Sequence, residues 1–161
     1  VLVEEPEAVL LIRRADRVDD RWSGQMAFPG GRWSEGDADL LETARRETIE
    51  EVGLDLRDAP VLGVLDDIAP RTPVLPPLIV RPFVFRLGRP RPLVPNHEVA
   101  GALWAELERL AAPGVYRPFE YDFQGARLVL PGYHLAEGIV WGMTERILTP
   151  LLALLRQEGP G

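Results

Sequence analysis

The 161-residue chain has a mass of 18.0 kDa and is 46% hydrophobic, which suits one globular domain with its own core and predicts no second domain. Its formal net charge of −7 argues against a general nucleic-acid binder, which needs Lys and Arg to displace counterions from phosphate; it allows a phosphorylated substrate, because bound divalent cations reverse the local sign. The absence of Cys excludes disulfides and thiolate metal sites and leaves a cytoplasmic, reducing compartment as the expectation.

No signal-peptide progression and no apolar run of about 18 residues points to export or to a membrane, and a chain that starts at Val1 leaves a leader open. In chain order, residues 8–13 (Ala-Val-Leu-Leu-Ile-Arg) form a short apolar run that predicts a buried strand, with residues 1–3 as its neighbour. Residues 13–24 are polar, carry Arg14, Arg17 and Arg21, and predict a loop. In Phe28-Pro-Gly-Gly31, Pro fixes φ, while Gly30 and Gly31 permit positive φ or close approach to a ligand.

From Asp37 or Asp39 to Val52 the pattern is helical, with an acidic N-cap, good helix formers and Gly53 as the C-cap. Residues 61–67 and 77–87 predict strands, and Pro76, Pro77 and Pro82 place edges or bulges in the second. Residues 102–105 predict a short strand and 106–111 a helical turn. Residues 121–123 and 127–130, joined by Gln124-Gly125, predict a hairpin. Residues 139–155 predict a C-terminal helix, kinked or restarted at Pro150. Its apolar face packs on the chain's own core or on a second copy in a homodimer, and the residues leave both open. Alternating strands and helices indicate a mixed α/β domain.

On a helical wheel of about 100° per residue, Leu41, Ala44, Thr48 and Val52 form one narrow face that packs on a sheet. Glu47 and Glu51 then lie side by side at i and i+4, with Glu50 next to them. Three like charges in one arc weaken an isolated helix unless a cation resides there. Hard oxygen ligands suit Mg²⁺, Mn²⁺ or Ca²⁺ rather than Zn²⁺. Arg46 stands at i−4 from Glu50, where it can hold a carboxylate in orientation. The plainer reading is an exposed acidic helix face, common in acidic proteins.

Gly31 followed by Arg46-Glu47-x-x-Glu50-Glu51-x-Gly53-Leu54 resembles the signature of the Nudix hydrolases, which cleave nucleoside diphosphates linked to another group. The second half of that signature is intact. In the first half, Gly31 to Arg46 is one residue longer than usual, and the central acid is Asp37 or Glu35. The same extension occurs in the coenzyme A diphosphatase branch, which Leu10-Leu-Ile-Arg-Arg-Ala15 and Gly24-Gln-Met-Ala-Phe-Pro-Gly-Gly31 also resemble. In the first of these Ile12 stands where that branch has Thr, and the Arg14 to Gly24 spacing is one residue long. Leu65-Asp-Asp67, Pro82-Phe83, Glu98-Val99 and residues 139–142 look like the same branch.

The resemblance implies a Nudix-type α-β-α sandwich with a mixed sheet, an α+β arrangement. It also implies Mg²⁺- or Mn²⁺-dependent hydrolysis of a pyrophosphate in a small-molecule nucleotide, coenzyme A or a dinucleotide among them. Glu47 and Glu51 would be the principal metal ligands, Glu50 a third ligand or the carboxylate bound through water, and the Gly31 carbonyl a further donor. The base would be Glu50 or Glu47, or a carboxylate from a later loop, where Glu98 in Asn96-His-Glu98 comes first and Glu120 is the reserve. His97 and His134 rank below them. From the residues themselves, Arg13, Arg14 and Arg17 precede the Gly-rich turn and could hold phosphates through their guanidinium forks. Phe28, Trp33, Tyr116 and Phe119 could stack on a base, although core packing claims most aromatics. The competing readings are a nucleotide-sensing or partner-binding module on the same scaffold without turnover, and an acidic structural domain.

Overall fold

The computed structural model describes residues 1–18, 23–71 and 77–157. Arg21 and Pro76, which the sequence assigns to a loop and a strand edge, lie outside the described residues. The apolar run near the N-terminus forms strand β2, Glu7–Arg14, whose residues 8–12 are all buried. A strand without exposed alternation must be covered on both faces. Val9 and Leu11 enter one core cluster, and Ala8, Leu10 and Ile12 enter a second on the opposite face.

β2 is the hub of a mixed sheet. One edge pairs antiparallel with β6, Val99–Glu106. The other edge is shared by β1, Leu2–Glu4, and the short β3, Met26–Ala27. β1 pairs in parallel with β5, Phe83–Leu87, which carries β4, Val61–Val64, at the margin. Beyond these strands, Val80 makes only an isolated bridge to Ile68, so the strand expected over 77–87 is confined to its second part. Pro82 donates no hydrogen bond to a ladder, and its carbonyl accepts from Leu65 N–H.

Helix α1, Leu40–Val52, packs on the cluster of Leu10 and Ile12 through Val52, Leu41 and Ala44. Its N-cap is Asp39, whose carboxylate accepts from Glu42 N–H at 2.9 Å; Asp37 stands outside the helix with another role. Its C-cap is Gly53 at φ 69°, a left-handed conformation that suits Gly, with its N–H donating to the Ile49 carbonyl.

A short helix α2, Leu107–Ala111, precedes a second sheet of β7, Tyr116–Phe123, β8, Ala126–Leu135, and β9, Gly138–Trp141. This sheet is larger than the hairpin expected over 121–130. Residues 139–141 belong to β9 rather than to the C-terminal helix, because Gly142 at φ 66° turns the chain before α3, Gly142–Gln157. Pro150 sits inside an unbroken α3. Leu148, Leu151 and Leu152 of α3 join Tyr133, Val140, Leu110 and Leu11 in the first cluster. The central sheet is thus held between α1 on one face and α3 with the second sheet on the other. No described helix is long and apolar enough to cross a membrane.

Candidate active site

The site is assembled by three segments that meet at the end of β2. The turn after β3 lays Gly30 and Gly31 against α1, and the Gly30 N–H donates to Glu51 Oε2 at 2.9 Å. A Cβ built at Gly31 would overlap the carboxylate of Glu47, so only Gly admits that side chain so close to the turn. From the other side, the loop before β6 is tied to the C-terminus of α1: Val94 N–H donates to the Val52 carbonyl and Asn96 N–H to that of Glu51. The Asn96 side chain accepts from Glu98 N–H, and the Glu98 carbonyl accepts from Ala15 N–H, which fixes Glu98 beside the end of β2.

Glu51 is 3% exposed. Burial, with repulsion from Glu47 and Glu98, pushes its carboxyl up to about 7, while the Gly30 N–H and the charge of Arg14 pull the other way. A buried acid repelled by two other carboxylates beside a glycine turn is short of positive charge, and its donors are hard oxygens. The residues present therefore fit a divalent cation. Among the described residues, no three carboxylate or imidazole side chains already converge as a ligand set. Glu50 has half its side chain exposed and shares one donor with Glu47, Arg46 Nη1, which reaches Glu50 at 3.2 Å and Glu47 at 3.0 Å.

Arg46 organises this flank. Its Nε and Nη2 donate to the two carboxylate oxygens of Asp37 at 2.8 and 2.9 Å, and its Nη1 reaches Glu47 at 3.0 Å. Asp37 also accepts from Ser34 N–H and from Thr43 Oγ1. The Arg46 guanidinium beside it, with these bonds, holds its carboxyl well below the usual carboxylate range. Asp37 is the acid of the first half of the motif, and it acts as the clamp of Arg46.

The remaining sequence candidates separate. Arg14, half-buried, acts on Glu51 electrostatically, whereas Arg13 is exposed on the opposite face of β2, 3.8 Å from Asp16. Arg17 Nη1 lies 3.5 Å from Glu98. Glu120 pairs with Arg127 on the exposed β7–β8 hairpin, and His97 is exposed. Phe28 packs against the core, Trp33 Nε1 donates to the Asp37 carbonyl, and Tyr116 donates to buried Glu145. Of the four aromatic candidates, only Phe119 lines an open cleft of about 370 Å³, together with Tyr121 and Trp141, which the sequence reading missed. A second cleft of about 400 Å³ lies along the flank of α1 and includes neither Glu47 nor Glu51.

Residues 1–123 match the NUDIX domain family model. An uncharacterised protein of Schizosaccharomyces pombe is 40% identical over 141 residues, covering 81% of this chain; the match spans only 43% of that protein's length. The mitochondrial coenzyme A diphosphatase NUDT8 of Mus musculus is 33% identical over 159 residues, 96% of this chain and 73% of that one. The NUDIX domain of Shewanella oneidensis NrtR, solved with ADP ribose, shares the fold at a TM-score of 0.60 and 14% identity, over 97% of this chain and 82% of that one. With the family model covering most of its length and the signature carboxylates Glu47 and Glu51 at one glycine turn, the chain belongs to the Nudix hydrolase family.

Proposed function

We propose that the chain hydrolyses the pyrophosphate linkage of a nucleoside diphosphate derivative, coenzyme A or a related dinucleotide, with Mg²⁺ or Mn²⁺ as cofactor. The observation that carries this reading is the buried Glu51 held by the Gly30 N–H, with the Glu47 carboxylate against the neighbouring Gly31. The likeness to a coenzyme A diphosphatase supports the substrate.

Glu47 and Glu51 would hold the metal, with the Gly31 carbonyl and Glu50 as further donors. A divalent ion, when bound, lowers the pKa of water and neutralises charge on phosphoryl oxygens. Arg46, fixed by Asp37, keeps the Glu47 and Glu50 carboxylates in place. Arg14 takes the phosphate oxygens near the cluster, and Arg13 a more distant anionic group. Gly30 leaves the turn open to the substrate, since a Cβ there would meet nothing within 4 Å, and Phe28 supports the turn from the core. Glu98 accepts the proton of the attacking water, with Glu50 as the alternative base.

The test is mass spectrometry of products formed from coenzyme A, dinucleotides and nucleoside diphosphate sugars with Mg²⁺ or Mn²⁺. A nucleoside monophosphate or its 3′-phosphate is expected from at least one of them, with turnover abolished in Glu51→Gln. Glu98→Gln should lower kcat by about 10²–10⁴-fold, the usual contribution of a general base. Tight nucleotide binding with no cleavage in either metal would assign the chain to sensing instead.

A further inference from the structure

We propose that the aromatic face of the second sheet is the binding site for the nucleobase of the substrate, a deepening that rests on the hydrolase reading above. The register of the sheet places Phe119 opposite Leu130, Tyr121 opposite Leu128, and Gly132 between β7 and Trp141 of β9. Residues directly opposite one another share a face, and so do residues two apart on one strand. Phe119, Tyr121 and Trp141 therefore stand together on one side of the sheet, while Tyr133 and Val140 face the core on the other.

The three rings form a connected platform. Tyr121 and Trp141 lie 4.5 Å apart between centroids, and Phe119 and Trp141 lie 5.9 Å apart. Gly132 makes this possible, because a Cβ there would press on Ile139 and on the edge of the Phe119 ring. All three rings remain half-buried rather than covered. Ile139, Ser23, Gly24 and Gln25 complete the lining of the cleft.

The chemistry of the lining selects the occupant. None of the lining residues is charged, which disfavours a phosphate, and a volume of about 370 Å³ suits a small planar group rather than a protein segment. Aromatic faces stack on any base, and the Gln25 carboxamide supplies both a donor and acceptors for a base edge. Position points the same way. The Gln25 carbonyl accepts from the backbone N–H of Arg14, the residue whose charge acts on Glu51. Four residues then separate Gln25 from Gly30, a chain span of at most about 18 Å. The platform and the carboxylates thus lie at the two ends of one short segment, from Gln25 to Gly30, which sets the reach that a bound nucleotide has to span.

Calorimetry on the metal-free full chain with AMP and with ribose 5-phosphate tests the site without requiring turnover. AMP should bind at least tenfold more tightly than the base-free sugar phosphate. Tyr121→Leu should remove that preference, Tyr121→Phe should keep it, and Gln25→Ala should weaken it, all with unchanged circular dichroism. In the cleavage assay, Tyr121→Leu should raise KM by about five- to a hundredfold with kcat within twofold, as expected from the loss of one stacking partner. Equal binding of AMP and ribose 5-phosphate, or a Tyr121→Leu variant unchanged in both AMP affinity and KM, would overturn the base site. Cleavage intact in such a variant refutes the platform and spares the hydrolase reading. A base preference lost in Tyr121→Leu, in a chain that cleaves nothing, does the reverse.

Discussion

Glu51 carries electrostatic tension at the site. Its carboxyl lies at about 7 in the fold against an ordinary value of 4.5, so the folded state favours the protonated acid. Its contribution to stability is fully present below about pH 4.5 and is lost as pH rises towards 7. In protein stripped of divalent metal, Glu51→Gln, which mimics the neutral acid, should therefore melt above the parent at about pH 8 and with it at about pH 4. The difference at the higher pH is at most about 3 kcal/mol. Identical melting in EDTA at both pH values would mean that Glu51 is solvated in the native state. Asp37 has the opposite sign: its depressed pKa adds stability above the ordinary carboxylate range and withdraws it in acid. That pairing with Arg46 was not legible in the sequence, where Asp37 read equally as an N-cap, because the clamp closes across nine residues of chain.

At the scale of elements, α1 is where local sequence and tertiary structure agree best. Its caps, Asp39 and Gly53, both fall where side-chain chemistry places them. Gly53→Ala should destabilise the protein by about 1–2 kcal/mol in chemical denaturation, since a side chain at φ 69° is strained and its Cβ would also press on Val94. A neutral result would mean that the helix end relaxes without it. The second sheet was harder to read. Residues 139–141 are apolar and continue smoothly into the periodic pattern of α3, and a short apolar run does not distinguish strand from helix. Pairing with residues 132–135 decided the matter, and that pairing is non-local information.

For the whole molecule, the deciding feature is that β2 is covered twice. Leu10 and Leu11 are consecutive and both completely buried, yet they serve different cores, one under α1 and the other under α3. Leu10→Ala and Leu11→Ala should each cost about 2–5 kcal/mol in denaturant unfolding. A near-neutral result for either would place one face of the sheet in solvent and break the sandwich. The same double covering brings the end of β2, the glycine turn after β3 and the loop before β6 to one corner, where Arg14, Glu51 and Glu98 meet.

By itself the sequence determined α1, its glycine C-cap, the carboxylates Glu47, Glu50 and Glu51, and the glycine turn. All of these follow from short-range spacing on one helix and from the steric freedom of Gly. The tertiary structure alone decided three matters: Asp37 clamps Arg46, Arg14 rather than Arg13 acts on Glu51 through its charge, and Phe119, Tyr121 and Trp141 gather on one sheet face. Each depends on which strand lies beside which and in what register. A shift of one residue would send every side chain of a strand to the other face, and no local pattern records that choice.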